Sequence, residues 1–424
     1  MSDLASGIFR YNWDESQLNK LAEDAKRISG EASTKYFLNG PTLPNWSLGY
    51  QIALEMVKLS YSTLRPDYPV TLENFNLQDI IKKNRPFRES VANMSTSCAN
   101  FRKHEWPIVP SELLQGKSIP LFSKLIEQDN LASHPRTLNA EVVVSDSLSG
   151  SIESKYGSKV DAFGLEPLSG DEVVMIHYHG GAYSRGSPSV YRNFFAKLSN
   201  KTNLRVIAPS YRLAPDNVYP ASIYDGFMFY MYLLNQGFKP ENMVLMGDSA
   251  GGNLTVVVLQ LLKEIGLDQP KGAVLYSPWV DLSHTHEFNS ANAPYDFVAL
   301  PDINNIYNST RLYIQPGKPL SPEFLESLKS PYISPTYGDL EGLAPLYIQS
   351  GNSEVLLDDI DRFAEKTNAQ RVKIQGRVHP GFNTDDRNIY ETYVGMAHVF
   401  FVFEDANETY AAIDGVDSFI KRLN

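Results

Sequence analysis

In the second half of the chain, short apolar runs alternate with longer stretches whose apolar residues recur at helical spacing. Val173–Tyr178, Leu204–Pro209, Met243–Met246, Ala273–Tyr276, Pro345–Gln349 and Val372–Ile374 have the length and composition of buried strands. Between them Ile223–Gln236, Gly252–Gly266 and Leu356–Thr367 carry helical periodicity, and Thr409–Leu423 predicts a closing helix. Glu141–Val144 predicts one strand before the series, and Ile389–Val394 is a strand-like run near its end. Apolar strands alternating with helices predict a parallel sheet covered on both faces, an α/β fold.

Two regions break this rhythm. Residues 1–130 show helical patterns around Glu15–Arg27 and Trp46–Leu64, separated by polar and proline-rich stretches such as Asn39–Pro44. Trp46–Leu64 is interrupted by Glu55 and Lys58, so it reads as an amphipathic helix covering something apolar, not as a membrane span. Residues 284–339 are rich in Pro, Asn and Ser and read as a segment inserted over the sheet edge. The chain thus divides into an N-terminal extension (1–130), a core of 131–283 plus 340–424, and an insert (284–339).

A chain of 424 residues accommodates one such core with a cover. The net charge of −11, with no run of five or more like charges, argues against nucleic acid or an anionic membrane as partner. The single cysteine, Cys98, excludes an intramolecular disulfide and a cysteine-rich zinc site, and fits a reducing compartment. The start, Met-Ser-Asp-Leu-Ala-Ser, has neither the basic residues nor the apolar core of a secretion signal, so a cytoplasmic location is expected.

The chemistry concentrates in V-L-M-G-D-S-A-G-G, Val244–Gly252. Here an apolar strand enters a G-x-S-x-G turn and a helix leaves it, which projects the Ser249 hydroxyl outward as a candidate nucleophile. A serine needs a base, a group to orient that base, and donors for the oxyanion formed during acyl transfer. On such sheets the order is Ser, acid, His. His379 and His398 both follow Ser249 with a strand and an acid between; His398, in G-M-A-H-V-F past a strand-like run, is preferred to His379, whose V-H-P-G-F-N context reads as an exposed loop. For the acid, S-G-N-S-E-V-L-L-D-D puts Glu354 first after the strand, while Asp358 and Asp359 fall in the first helical turns, where dipole compensation explains them; Glu354 and Asp358 both stay as candidates. The donors are expected from Gly180, Gly181 and Ala182 in H-G-G-A-Y, together with Ala250. His179 reads as a loop holder, and neither His284-x-His286 nor the other histidines have metal-ligand spacing, so no metal is expected.

These blocks, with S-Y-R-L-A-P at 210–215, Y-P-A-S-I-Y-D at 219–225, S-P-W-V-D-L at 277–282 and E-V-L-L-D-D at 354–359, resemble the hormone-sensitive-lipase-like family of α/β-hydrolases over roughly Val173–Leu423. The resemblance implies an α/β-hydrolase fold, a mostly parallel central sheet flanked by helices, with a lid formed by the N-terminal region and the insert. It assigns the nucleophile to Ser249, the base to His398 and the acid to the position of Glu354, where many members have Asp. It also implies a small-molecule ester as substrate and no cofactor. Ala182 departs from the family's third glycine, and Arg212, Asp225 and Asp281 are taken as scaffold. Deacetylase, lactonase or amidase activity on the same residues, or a ligand-binding role like that of the plant gibberellin receptor, are the alternatives that the resemblance leaves.

Overall fold

Nine apolar or half-apolar runs close into one sheet: β1 (Asn100–Ile108), β2 (Arg136–Val144), β3 (Val174–Tyr178), β4 (Arg205–Pro209), β5 (Met243–Asp248), β6 (Gly272–Tyr276), β7 (Leu346–Gly351), β8 (Gln370–Ile374) and β9 (Ile389–Tyr393). The computed structural model describes residues 15–63, 71–92, 100–157, 160–285, 290–299, 302–382 and 385–423. Across the sheet the order is β1-β2-β4-β3-β5-β6-β7-β9-β8. Pairing is antiparallel where β2 meets β1 and β4, and parallel elsewhere.

The helices are α1 (Glu15–Asn39), α2 (Leu48–Thr63), α3 (Leu77–Ala92), α4 (Pro110–Leu114), α5 (Ser123–Leu131), α6 (Asp146–Tyr156), α7 (Arg192–Thr202), α8 (Ala221–Asn235), α9 (Ala250–Glu264), α10 (Ser309–Ile314), α11 (Pro322–Ser327), α12 (Leu357–Lys366) and α13 (Glu408–Arg422). Side chains alternate between the two faces of each strand. Val174, Ile176 and Tyr178 of β3 therefore enter an apolar cluster with α8, α9 and α12, while Met175 enters a second one with α2, α7 and α13. Burial on both faces explains why the central strands read as continuous apolar runs. At the rim β8 exposes Arg371 and Lys373, charges that discourage further strand pairing.

Two expectations change, the start of the sheet and the course of the insert. The sheet begins at Asn100, inside the stretch assigned to the N-terminal extension; β1 is an edge strand with only Trp106 and Ile108 buried, so its apolar signal is weak. The chain runs outward to β8 and returns inward, leaving β9 between β7 and β8. The insert crosses the carboxyl ends of central strands instead of the sheet edge: Leu282 N donates to Ser334 Oγ (2.7 Å), Thr336 N to Val280 O (3.2 Å), and Asn253 and Gln260 of α9 donate to Ile333 O (2.9 Å) and Pro335 O (3.0 Å). These polar groups on a buried helix need partners, and the insert supplies them. Cys98 and His286 lie outside the described residues. Among those described, no helix is long and apolar enough to cross a membrane.

Candidate active site

β5 ends at Asp248 and α9 starts at Ala250, which leaves Ser249 alone in the turn at φ 52°, ψ −117°. An L-residue rarely adopts this backbone. Two glycines make it possible. A Cβ on Gly247 would lie 2.2 Å from Gly251 O, and one on Gly251 would lie 1.9 Å from Tyr178 O of β3. The turn is pinned on its other side, where Ser249 N donates to Tyr276 O (2.9 Å) and Trp279 N to Ser249 O (2.9 Å). Asp248 and Ala250 are buried, and Ser249 between them is partly exposed.

Parallel register puts the candidate acid and base on neighbouring strand ends, since β7 pairs directly with β9. The structure brings Glu354 and His398 together: His398 Nδ1 lies 3.3 Å from Glu354 Oε2, with both side chains buried. Asp358 and Asp359 occupy the first turn of α12, and Asp359 pairs with Arg362. Burial alone would lower the pKa of the His398 imidazole, but the Glu354 hydrogen bond and the charges of Glu354, Asp296 and Asp248 outweigh it and hold it above the ordinary value. The base loop docks beside the serine turn through Ser277, which follows Tyr276 and whose Oγ accepts Val399 N (3.1 Å). Among the described residues, Ser249 Oγ has no hydrogen bond to His398 or to any other group.

His379 is placed elsewhere, and it is not exposed. Its side chain is 2% accessible and its Nε2 lies 2.6 Å from Glu391 Oε1 in the middle of β9. The proline and glycine around it shape the loop's backbone, while the ring turns inward to a buried carboxylate.

The H-G-G-A-Y loop divides its amides between two tasks. Gly180, expected among the oxyanion donors, points its N–H into the protein, to Asp248 Oδ1 (2.9 Å) and Tyr191 Oη (3.1 Å). Asp248 is buried, and burial pushes its carboxyl up to about 7 despite the hydrogen bond from Tyr191. Such a group needs those donors. The N–H groups of Gly181, Ala182 and Ala250 have no acceptor among the described residues. Ala182 sits at φ 52°, where its methyl costs about 1–2 kcal/mol relative to glycine. His179 holds the loop: Nδ1 bonds Gly180 O (2.8 Å), the ring stacks on Tyr211 at 4.2 Å, and burial lowers its pKa to about 4, which keeps it neutral.

Residues 175–383 match the family model described as alpha/beta hydrolase fold. Over 212 residues the chain is 36% identical to an esterase of Acinetobacter venetianus, a match covering 49% of this chain and 65% of the relative, just short of two thirds of its length. The structure of an esterase from the bacterial hormone-sensitive lipase family shares the fold, with a TM-score of 0.58 at 22% identity over 89% of this chain and 98% of that one. Over 236 residues the chain is 30% identical to the esterase LipU of Mycobacterium tuberculosis, covering 54% of this chain and 76% of LipU. The chain belongs to the hormone-sensitive-lipase-like family of α/β-hydrolases.

In this α/β-hydrolase, sequence reasoning missed Asp296 and Ser277. Ser277 sits at φ 42° and faces the Glu354 carboxylate while accepting Val399 N. The available signal for Asp296 was an acid set between two aromatic residues, Tyr295 and Phe297. The residues taken as scaffold form local networks: Arg212 makes a bidentate pair with the buried Asp225, which Arg136 joins, and Asp281 accepts from Ser283 and Tyr337. No group of three or more His, Cys, Asp or Glu among the described residues could hold a metal ion.

Proposed function

We propose that this hydrolase cleaves carboxylic esters of small to medium apolar acyl groups through an acyl-enzyme intermediate. Ser249 is the nucleophile, His398 the base and Glu354 the acid. The observation that carries the reading is the buried His398–Glu354 pair, 3.3 Å apart, on a loop docked next to the strained serine turn. His398 Nε2 takes the Ser249 proton as Oγ attacks the ester carbonyl, and Glu354 holds the opposite ring nitrogen and balances the imidazolium. The resulting oxyanion accepts from Ala250 and from Gly181 and Ala182, with Gly180 no longer in the set. The alcohol leaves with the proton on His398, and water then attacks the acyl group with His398 again as base. No cofactor enters this sequence.

The N-terminal helices and the insert form the cover over the acyl pocket in this reading, and the substrate is a small molecule. A charge of −11 supports this over a nucleic acid. A cytoplasmic setting belongs to the same proposal.

Ser249→Ala is expected to reduce turnover of nitrophenyl acetate or butyrate by on the order of 10⁴-fold. The parent should be labelled by a fluorophosphonate and the variant should not. A parent protein that neither labels nor hydrolyses short-chain nitrophenyl esters would make the chain a ligand binder on a hydrolase fold.

A further inference from the structure

The start of the insert, residues 290–298, reaches the active site from outside the sheet. Asp296 within it is 2% exposed, and its carboxylate accepts four main-chain N–H groups. Oδ1 takes those of Phe297 (2.7 Å), Val298 (3.3 Å) and His398 (3.3 Å), and Oδ2 takes that of Val355 (2.7 Å). A turn carboxylate capping its own backbone would account for Phe297 and Val298. It would not account for the other two, which are the candidate base itself and the residue after the candidate acid, 102 and 59 positions away. From the same segment Asn292 Nδ2 donates to Glu354 O (2.9 Å) and Asn352 O (3.3 Å), and the Phe297 ring meets the His398 imidazole edge-on at 5.8 Å. Burial raises the pKa of this carboxyl, while His398 and the N–H groups of Val355, Val298 and His398 work the other way and favour its ionised form. Hydrogen bonds from main-chain N–H to an ionised carboxylate are stronger than neutral ones, and one carboxylate shared by two loops fixes the spacing between them.

We infer that Asp296 is a positioning residue, through which the insert holds the acid loop and the base loop in register, so that the cover is also part of the apparatus that aims His398. This rests on the assignment of Ser249, His398 and Glu354 made above. The charged groups facing His398 are Glu354 from the acid loop, Asp248 from β5 and Asp296 from the insert. Those facing Asp296 are His398, Glu354 and the Tyr50 hydroxyl of α2. An asparagine at 296 keeps one carbonyl oxygen for His398 N–H. It turns an amide toward Val355 N–H, however, and removes a carboxylate whose charge favours the protonated imidazole.

Asp296→Asn is expected to lower kcat on nitrophenyl butyrate by on the order of 10²-fold, with KM within about two-fold, because the base is misplaced and the pocket is untouched. Removing the charge lowers the imidazole pKa, so the acidic limb of kcat/KM, followed by pH-stat, moves to lower pH. A parental kcat overturns the inference. So does an unmoved limb, since a carboxylate held against the His398 backbone acts on the imidazole through its charge. If the Asp296→Asn protein does not fold, Asn292→Ala decides: it loosens the same segment with every charge kept. A several-fold loss of kcat at constant KM then supports the inference, and a parental kcat overturns it. Fluorophosphonate labelling of the parent separates these results from failure of the catalytic assignment, which would abolish labelling whatever Asp296 does.

Discussion

Three buried carboxylates stand around one imidazole, and each is bound differently. Glu354 bonds the His398 ring, Asp296 bonds main-chain N–H groups on both sides of the pair, and Asp248 bonds Gly180 N–H and the Tyr191 hydroxyl. Glu354 therefore orients the ring and Asp296 the backbone that carries it, while all three favour the protonated form. The imidazole can accept the serine proton only when neutral. Its pKa is held above the ordinary 6.5, so activity should fall as the pH drops through a value above 6.5, not below it. The check is the pH dependence of kcat/KM on a short-chain ester, and an acidic limb well below 6.5 would mean that these carboxylates do not hold up the His398 pKa in the free enzyme. His177 shows the opposite arrangement. Buried on β3 with both ring nitrogens unpartnered among the described residues, it is lowered to about 3, by burial first and by His179 second, and it stays neutral 3.5 Å from Asp248.

At the scale of elements, β9 carries its own buried polar network on the α13 side of the sheet. Glu391 accepts from His379 Nε2 (2.6 Å), from Tyr393 Oη (2.6 Å) and from Tyr347 Oη. Gln349 of the adjacent β7 donates to both tyrosine oxygens (2.8 and 2.9 Å) and to Ala412 O of α13 (3.1 Å). Gly415 leaves room for this cluster, since a Cβ there would lie 1.9 Å from Tyr347 Oη. Gly381 N donates to His379 Nδ1, so Nε2 carries the proton given to Glu391 and the loop after β8 is latched to the sheet. Glu391→Ala would strand an imidazole N–H and two hydroxyls in the core and should cost about 3–5 kcal/mol in urea unfolding, with kcat near parental where the protein is folded. A loss below about 1 kcal/mol would show that the latch contributes little. The strands buried on both faces and the Gly-x-Ser-x-Gly turn were legible in the sequence because their signals are local. β1 was not, because an edge strand with two buried residues lacks a periodic signal. The turn residues around His379 describe the backbone and say nothing of where the ring goes. The burial of Asp296 arises only when loops 59 and 102 positions away meet it.

For the whole molecule, the base loop is where distant parts of the chain converge. Asn45 Nδ2 donates to Val394 O (2.6 Å), Trp46 Nε1 to Gly395 O (2.5 Å), and Ala397 N to Tyr50 Oη (3.0 Å). The acid loop adds Asn352, which accepts Gly395 N (2.6 Å), and Ser353 N, which donates to Met396 O (2.9 Å). Ser277 and Asp296 take the N–H groups of Val399 and His398. The loop is thus held by the turn before α2, α2 itself, the insert and the segments that follow β6 and β7, so α2, which reads from sequence as a cover, also braces it. Catalytic side chains need such support to stay within a fraction of an ångström of productive geometry. Tyr50→Phe isolates this brace. The ring packs edge-on against Trp46 at 5.2 Å and Phe403 at 5.3 Å, contacts that phenylalanine keeps. What is lost is the acceptor for Ala397 N–H, next to His398. An unsatisfied buried N–H costs about 1–3 kcal/mol, and the loop can relieve it only by shifting. The variant should therefore lose about ten-fold in kcat with KM within about two-fold, together with a stability loss of that size in urea unfolding. Parental kcat alongside the stability loss would confine α2 to covering the fold and remove it from the aiming of the base.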